Sequence, residues 1–204
     1  GGPVPGLLPH LDAAGAREVP VILTDLYPNR AAFAEIEAAT GGRVRGWAEP
    51  VSAFDLPPEL TGFRTVFTGF HHFRPEQARR ILADAVAKRA GIAVFEAQER
   101  AVHTVILIPI VVFLAGVLFT PFAGRVTWQR LIFTYLIPIC PLAFAWDGFA
   151  SCLRTYSPVE LRALTRDLES PDYRFEIGKR WLFGRFGFPY RATYLIGLPR
   201  PGAA

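Results

Sequence analysis

An α/β fold built on a largely parallel sheet is the class this sequence predicts, and three observations predict it. Arg64–Glu96 reads as a strand (RTVF), a loop tipped by histidines (TGFHHF), an amphipathic helix (RPEQARRILADAVAKRA), a glycine and a second strand (IAVFE). An earlier stretch, PVILTDLYPN, is another strand-and-loop unit, with Asp25 where the apolar run stops. Strands that alternate with helices pack as a parallel sheet. Near the C-terminus, Tyr173–Lys179 and Ala192–Leu198 alternate as half-buried strands, and their link, with Gly184 and Gly187, predicts an antiparallel hairpin. Ligands of open parallel sheets sit outside the carboxyl ends of the strands. Asp25, His71, His72 and Glu96 all fall at or just past such ends.

Taken in order, residues 5–14 (PGLLPHLDAA) predict a short helix ended by Gly15. Val19–Thr24 is β-branched, apolar and too short for a helix, so it predicts a buried strand. Asn29–Thr40 has a plausible N-cap in Asn29, apolar residues at helical spacing, and Gly41-Gly42 as a stop. A short strand is expected within Val44–Val51, then a loop at Pro57-Pro58. Pro75 suits the first position of the next helix, where its missing N–H costs nothing. Ile81, Leu82, Ala85 and Val86 form the apolar stripe of that helix, and Gly91 is its expected stop. Ile92–Phe95 predicts a buried strand, and Ser157-Pro158-Val159-Glu160 a capping box that opens a helix to about Leu168.

Bulk properties narrow the function. A chain of 204 residues is long enough to bury a real core. Its net charge of +4 comes from scattered arginines, with no basic stripe interleaved with aromatics, so no nucleic-acid partner is expected. Cys140 and Cys152 have no metal or redox spacing and read as buried free thiols in a reducing, cytoplasmic setting. No metal site is expected. The chain opens on Gly-Gly-Pro and holds no methionine, which reads as a piece of a longer polypeptide lacking a first strand.

The centre follows another grammar. Thr104–Ala123 and Leu131–Trp146 carry no charge, and the first would be about 30 Å long as a helix. It is apolar on every face, and each large side chain left in water would cost about 1.5–3 kcal/mol. We expect residues 101–150 to be an insertion in a domain formed by 1–100 and 151–204. Pro138 and Pro141 interrupt the second segment, and Arg125 and Arg130 lie between the two. An interfacial or re-entrant membrane hairpin through 104–146, at the inner face of a membrane, therefore fits better than two clean spans. A helical cap over the site, at a homodimer interface, is the alternative.

This order of parts resembles the class I S-adenosylmethionine-dependent methyltransferases: a Rossmann-like sheet, mostly parallel, whose last two strands form a hairpin with the final strand antiparallel to its neighbours. The resemblance implies S-adenosylmethionine as cofactor, with Gly1 and Gly2 as the tail of a glycine loop. Asp25 would accept hydrogen bonds from the ribose hydroxyls, and Leu26 would flank the adenine. Ser52 stands where the family carries an acid near the adenine amino group, with Ala53 beside it and Asp55 as a possible recruit. His71 would line the pocket and serve as general base, its ring facing away from that of His72. His72, Glu96, Asp147 and Tyr156 would contact the substrate. The acceptor implied is a hydrophobic or membrane-proximal small molecule. A dinucleotide-dependent oxidoreductase, which calls for a parallel last strand, and a non-catalytic membrane-associated module are the rivals.

Overall fold

The computed structural model describes residues 4–124, 126–183 and 189–200. Gly1 and Gly2, the expected tail of a glycine loop, lie outside the described residues. In chain order the elements are α1 (Val4–Ala13), β1 (Val21–Leu23), α2 (Arg30–Ala39), β2 (Val44–Gly46), β3 (Arg64–Phe67), a 3-10 turn (Phe70–His72), α3 (Pro75–Ala87) and β4 (Ile92–Glu96). Then come α4 (Val102–Phe119), α5 (Trp128–Leu131) running into a π-helical turn (Ile132–Leu136), α6 (Ile139–Arg154), α7 (Pro158–Thr165), β5 (Tyr173–Phe183) and β6 (Pro189–Pro199).

The fold is mixed α/β, with two sheets among the described residues. β1 and β2 form a parallel pair, with Val21 opposite Val44. The other sheet has the order β3-β4-β6-β5. Within it β3 and β4 run parallel, Arg64 opposite Ile92, while β6 is antiparallel to both its neighbours. The expected terminal hairpin is present, and longer than the sequence suggested. The expectation of one largely parallel sheet needs correction, because β1 is not hydrogen-bonded to β3 and the larger sheet holds a single parallel pair.

That break has a measurable consequence. Val19–Thr24 was expected to be a buried strand, yet Val19 and Ile22 are about half exposed. Among the described residues β1 has a hydrogen-bonded neighbour on one edge only, and a two-stranded sheet offers little surface to bury a strand.

The core sits between α3, α7 and the larger sheet. Phe70, Ala78, Ile81, Leu82, Ala85, Ile92, Val94, Leu161 and Leu195 are buried together. On α3, Ala78 rather than Val86 completes the buried stripe. The helix also ends earlier than Gly91: Lys88 caps it and Arg89 takes the left-handed conformation at φ 49°. Gly91 serves a different need, since a Cβ there would lie 2.5 Å from the Phe63 ring.

Local signals were reliable. The Asn29 side chain accepts a hydrogen bond from the Ala32 N–H, capping α2. The Ser157–Glu160 capping box is formed in both directions. Arg100 also donates to Glu160, and these bonds bring its carboxyl from 4.5 to about 2. A carboxylate held below its unfolded value stabilises the fold above that value, and the gain disappears as pH falls through the folded one. Thermal unfolding scans from pH 4.5 down to about 2 should therefore show a declining Tm, with a shallower decline in Glu160→Gln. The pair is partly exposed, so added salt should shrink the difference.

Candidate functional site at the carboxyl rim

The carboxyl ends of both parallel pairs carry the polar residues that the sequence singled out. β1 ends at Leu23, and Asp25 follows on an exposed turn. One oxygen of its carboxylate accepts the Tyr27 N–H at 2.8 Å, the only hydrogen bond to that carboxylate among the described residues. Leu26 is exposed beside it. The Asp25 carbonyl accepts the Val51 N–H at 2.9 Å, so the segment carrying Ser52 and Ala53 is fastened directly to the Asp25 turn. Ser52 Oγ accepts the Phe54 N–H at 3.2 Å, which occupies it locally. One Asp55 oxygen meets Lys88 at 3.0 Å, and the side chain stays exposed.

The same segment reaches the second rim. Phe54 packs edge-on against Phe73 at 5.5 Å, and the Arg80 guanidinium lies over the Phe54 ring. Phe73 closes the turn that follows β3. Thr68, at the start of that turn, adopts φ 50°, a strained conformation for a β-branched residue. Its N–H bonds to the Phe95 carbonyl at 2.8 Å, which holds the strained residue against the end of β4.

His71 and Glu96 are the centre of this rim. His71 is 4% exposed and Glu96 3%. One Glu96 oxygen accepts the His71 backbone N–H at 3.0 Å, and the other lies 2.8 Å from His71 Nδ1. A carboxylate can only accept, so Nδ1 is the nitrogen that donates in this bond. Nε2 of the same ring is buried with no hydrogen-bond partner among the described residues.

Several expectations change here. Glu96 does not face a substrate, since both its oxygens are committed to His71. The two histidine rings do not face opposite ways: their centroids lie 4.3 Å apart, tilted by 36°. His71 is the inward ring and His72 the exposed one. Tyr156 reaches the rim but donates its hydroxyl to the Phe73 carbonyl at 2.7 Å, clamping the turn. Burial, with the Glu160 and Glu76 carboxylates, pushes its phenol up. Asp147 is exposed on α6 and makes no hydrogen bond or ion pair among the described residues.

Sequence reasoning missed Glu99. It is 2% exposed and paired with Lys179 of β5, and its carbonyl accepts the Thr104 hydroxyl at 2.7 Å, joining the start of α4 to the sheet. Its only sequence signal was an acid just past the end of a buried strand. Two cavities lie away from the rim, about 510 Å³ between α7 and β5 and about 430 Å³ around Pro57–Gly62 at the start of β3. The first is lined by Arg162, Arg166 and Glu169 among others, the second by Arg64, Lys88 and Arg89. Among the described residues no three His, Cys, Asp or Glu side chains group as a metal site. A scan against protein-family models finds no match to this chain, and a search of curated proteins finds no matching protein either.

Proposed function

We propose that this chain transfers a methyl group from S-adenosylmethionine to a hydrophobic, membrane-proximal small molecule. The observation that carries this reading is the strand order β3-β4-β6-β5, with β6 antiparallel on both sides. It is the arrangement that the class I methyltransferase resemblance implies for the last strand. A nicotinamide-dependent oxidoreductase calls for a parallel strand there, so the order favours methyl transfer over that rival.

The rim residues fit such a ligand. Asp25 is exposed at the end of β1 with one carboxylate oxygen uncommitted, as a pair of ribose hydroxyls would need. Leu26 offers an apolar flank for the adenine, and Ser52 and Ala53 are tied to the same turn. When bound, S-adenosylmethionine supplies a methyl group already activated on a sulfonium, so the protein's task is alignment. His71 takes the acceptor's proton at Nε2, while Glu96 holds Nδ1–H and keeps the ring in that tautomer. Because Nε2 is buried, the acceptor meets it only when neighbouring groups give way, and the exposed His72 ring stands beside it.

Calorimetric titration of S-adenosylmethionine into the full chain tests this reading. Binding in the micromolar range is expected, weakened about a hundredfold in Asp25→Ala by loss of a charge-assisted hydrogen-bond acceptor. A folded wild-type chain that takes up no S-adenosylmethionine would overturn the proposal and leave a non-catalytic membrane module as the reading.

A further inference from the structure

We propose that the α4–α6 hairpin is embedded in the hydrocarbon layer of a lipid bilayer, with the carboxyl rim of the sheets facing the membrane surface. This does not depend on methyl transfer. Val102–Phe122 has a mean hydropathy of 2.6 over its most apolar window, and only 6% of that window is buried. At 21 residues it is about 31 Å long, close to the thickness of the hydrocarbon layer. Ile106, Leu107, Ile110, Val111, Leu114 and Leu118 are all about half exposed or more. They line the side of α4 that faces away from α6, and Ile139, Leu142 and Trp146 of α6, more than half exposed, line the opposite side of the hairpin.

That distribution chooses the occupant. A second protein copy packed on one helix would leave the outward face of the other in water. A continuous apolar medium covers both faces at once, and the bilayer is such a medium.

The packing within the hairpin suits lipid as well. α6 returns antiparallel along α4, with Gly148 against Ile108 and Val112, and Gly116 against Pro141 and Phe144. Small residues at the seam let helix backbones approach where no hydrophobic drive pushes them together. At the far end, the Thr120 hydroxyl donates to the Gly116 carbonyl, and Tyr135 donates to the Val117 carbonyl at 2.7 Å. The chain there bends by 67° between Trp128–Leu136 and α6. Trp128 and Arg130 stand on that bent arm, residues that belong at a head-group layer rather than at mid-bilayer. Asp147 lies seven residues before the end of α6, about 10 Å from the base of the hairpin and short of mid-bilayer, where a charge costs most.

A second element points the same way. β4 ends with Glu96 opposite Thr193, but the β5–β6 hairpin runs on past it. This overhang pairs Trp181 with Arg191, and the Arg191 guanidinium lies 5.4 Å from the centre of the exposed Trp181 ring. An aromatic ring beside a cation is the pattern of interfacial anchoring. The overhang leaves the sheet at the end of β4 from which the chain enters α4, so both apolar features project from one side.

The test uses full-length single-tryptophan variants, keeping Trp146, Trp181 or Trp47 and changing the others to Phe, in phosphatidylcholine–phosphatidylglycerol vesicles. Acyl-chain-brominated lipid should quench Trp146 several-fold more strongly than Trp47, with Trp181 quenched by lipid brominated close to the head group. The wild-type chain should also float with the vesicles after an alkaline carbonate wash. Equal quenching of Trp146 and Trp47, or release by carbonate, overturns the proposal. So does a detergent-free, monodisperse oligomer that ignores vesicles, since self-association would then be what covers the hairpin.

Discussion

Replacing Glu96 by alanine is expected to lower the stability of this chain by about 3 kcal/mol, because two buried donors lose their acceptor together. The His71 backbone N–H and the Nδ1–H both end on that carboxylate, at a place where water does not reach. Glu96→Gln separates stability from chemistry. Its carbonyl oxygen still accepts the backbone N–H, while its amide group donates to Nδ1. The imidazole then keeps its bond by moving its proton to Nε2. Denaturant unfolding should place Glu96→Gln within about 1 kcal/mol of wild type. Nitrogen chemical shifts of the His71 ring should report the exchanged tautomer. If His71 is the base, methyl transfer by the glutamine variant should fall by about a hundredfold or more. An unchanged rate with an exchanged tautomer would make the pair a structural clamp and remove His71 from the chemistry.

The His71–Glu96 pair also marks where the sequence stops being legible. Both residues were singled out as lying at or just past strand ends: Glu96 is the last residue of β4, and His71 follows β3. Their partnership depends on β3 and β4 being parallel neighbours in a register that sets Phe67 opposite Phe95. Register is a non-local property, and neither residue announces it. Features governed by a few consecutive residues were readable instead: the Asn29 cap, the Ser157–Glu160 box, Pro75 at the start of α3, the terminal hairpin. The sequence misled wherever a local preference met a tertiary demand. Gly91 looked like a helix stop, but Arg89 accepts the left-handed conformation and Gly91 is kept small by the Phe63 ring. Val19–Thr24 looks buried because its residues are apolar, yet strand side chains are buried by what packs on the sheet's faces, and Val19 and Ile22 stay about half exposed. The apolar centre was legible as composition; that α4 and α6 pack on each other along a glycine-lined seam, with α6 also touching the turn that carries His71, was not.

Phe70→Ala is expected to be among the most damaging single substitutions in the larger sheet's core, costing about 3–5 kcal/mol. Phe70 is fully buried, tilted against Tyr156 at 5.8 Å and set near-perpendicular to Phe73 at 6.2 Å. The cavity would open beneath the turn that carries His71, and it could not close easily. Glu96 fixes that turn on one side and the Tyr156 hydroxyl, bonded to the Phe73 carbonyl, on the other. Phe70→Leu keeps most of the volume and should cost less than half as much, since it leaves a smaller void. The two variants therefore differ in stability and also in the rim. With the ring gone, Tyr156 and Phe73 lose their shared packing partner, and the turn is free to let water reach the His71–Glu96 pair. Hydrogen exchange at the His71 amide reads this directly. It should be among the slow amides of the wild-type chain, little changed in Phe70→Leu, and markedly faster in Phe70→Ala at a denaturant-free temperature where that variant stays folded. Slow exchange in Phe70→Ala would mean that Glu96 alone holds the turn, and that the aromatic cluster beneath it contributes bulk stability without shaping the rim.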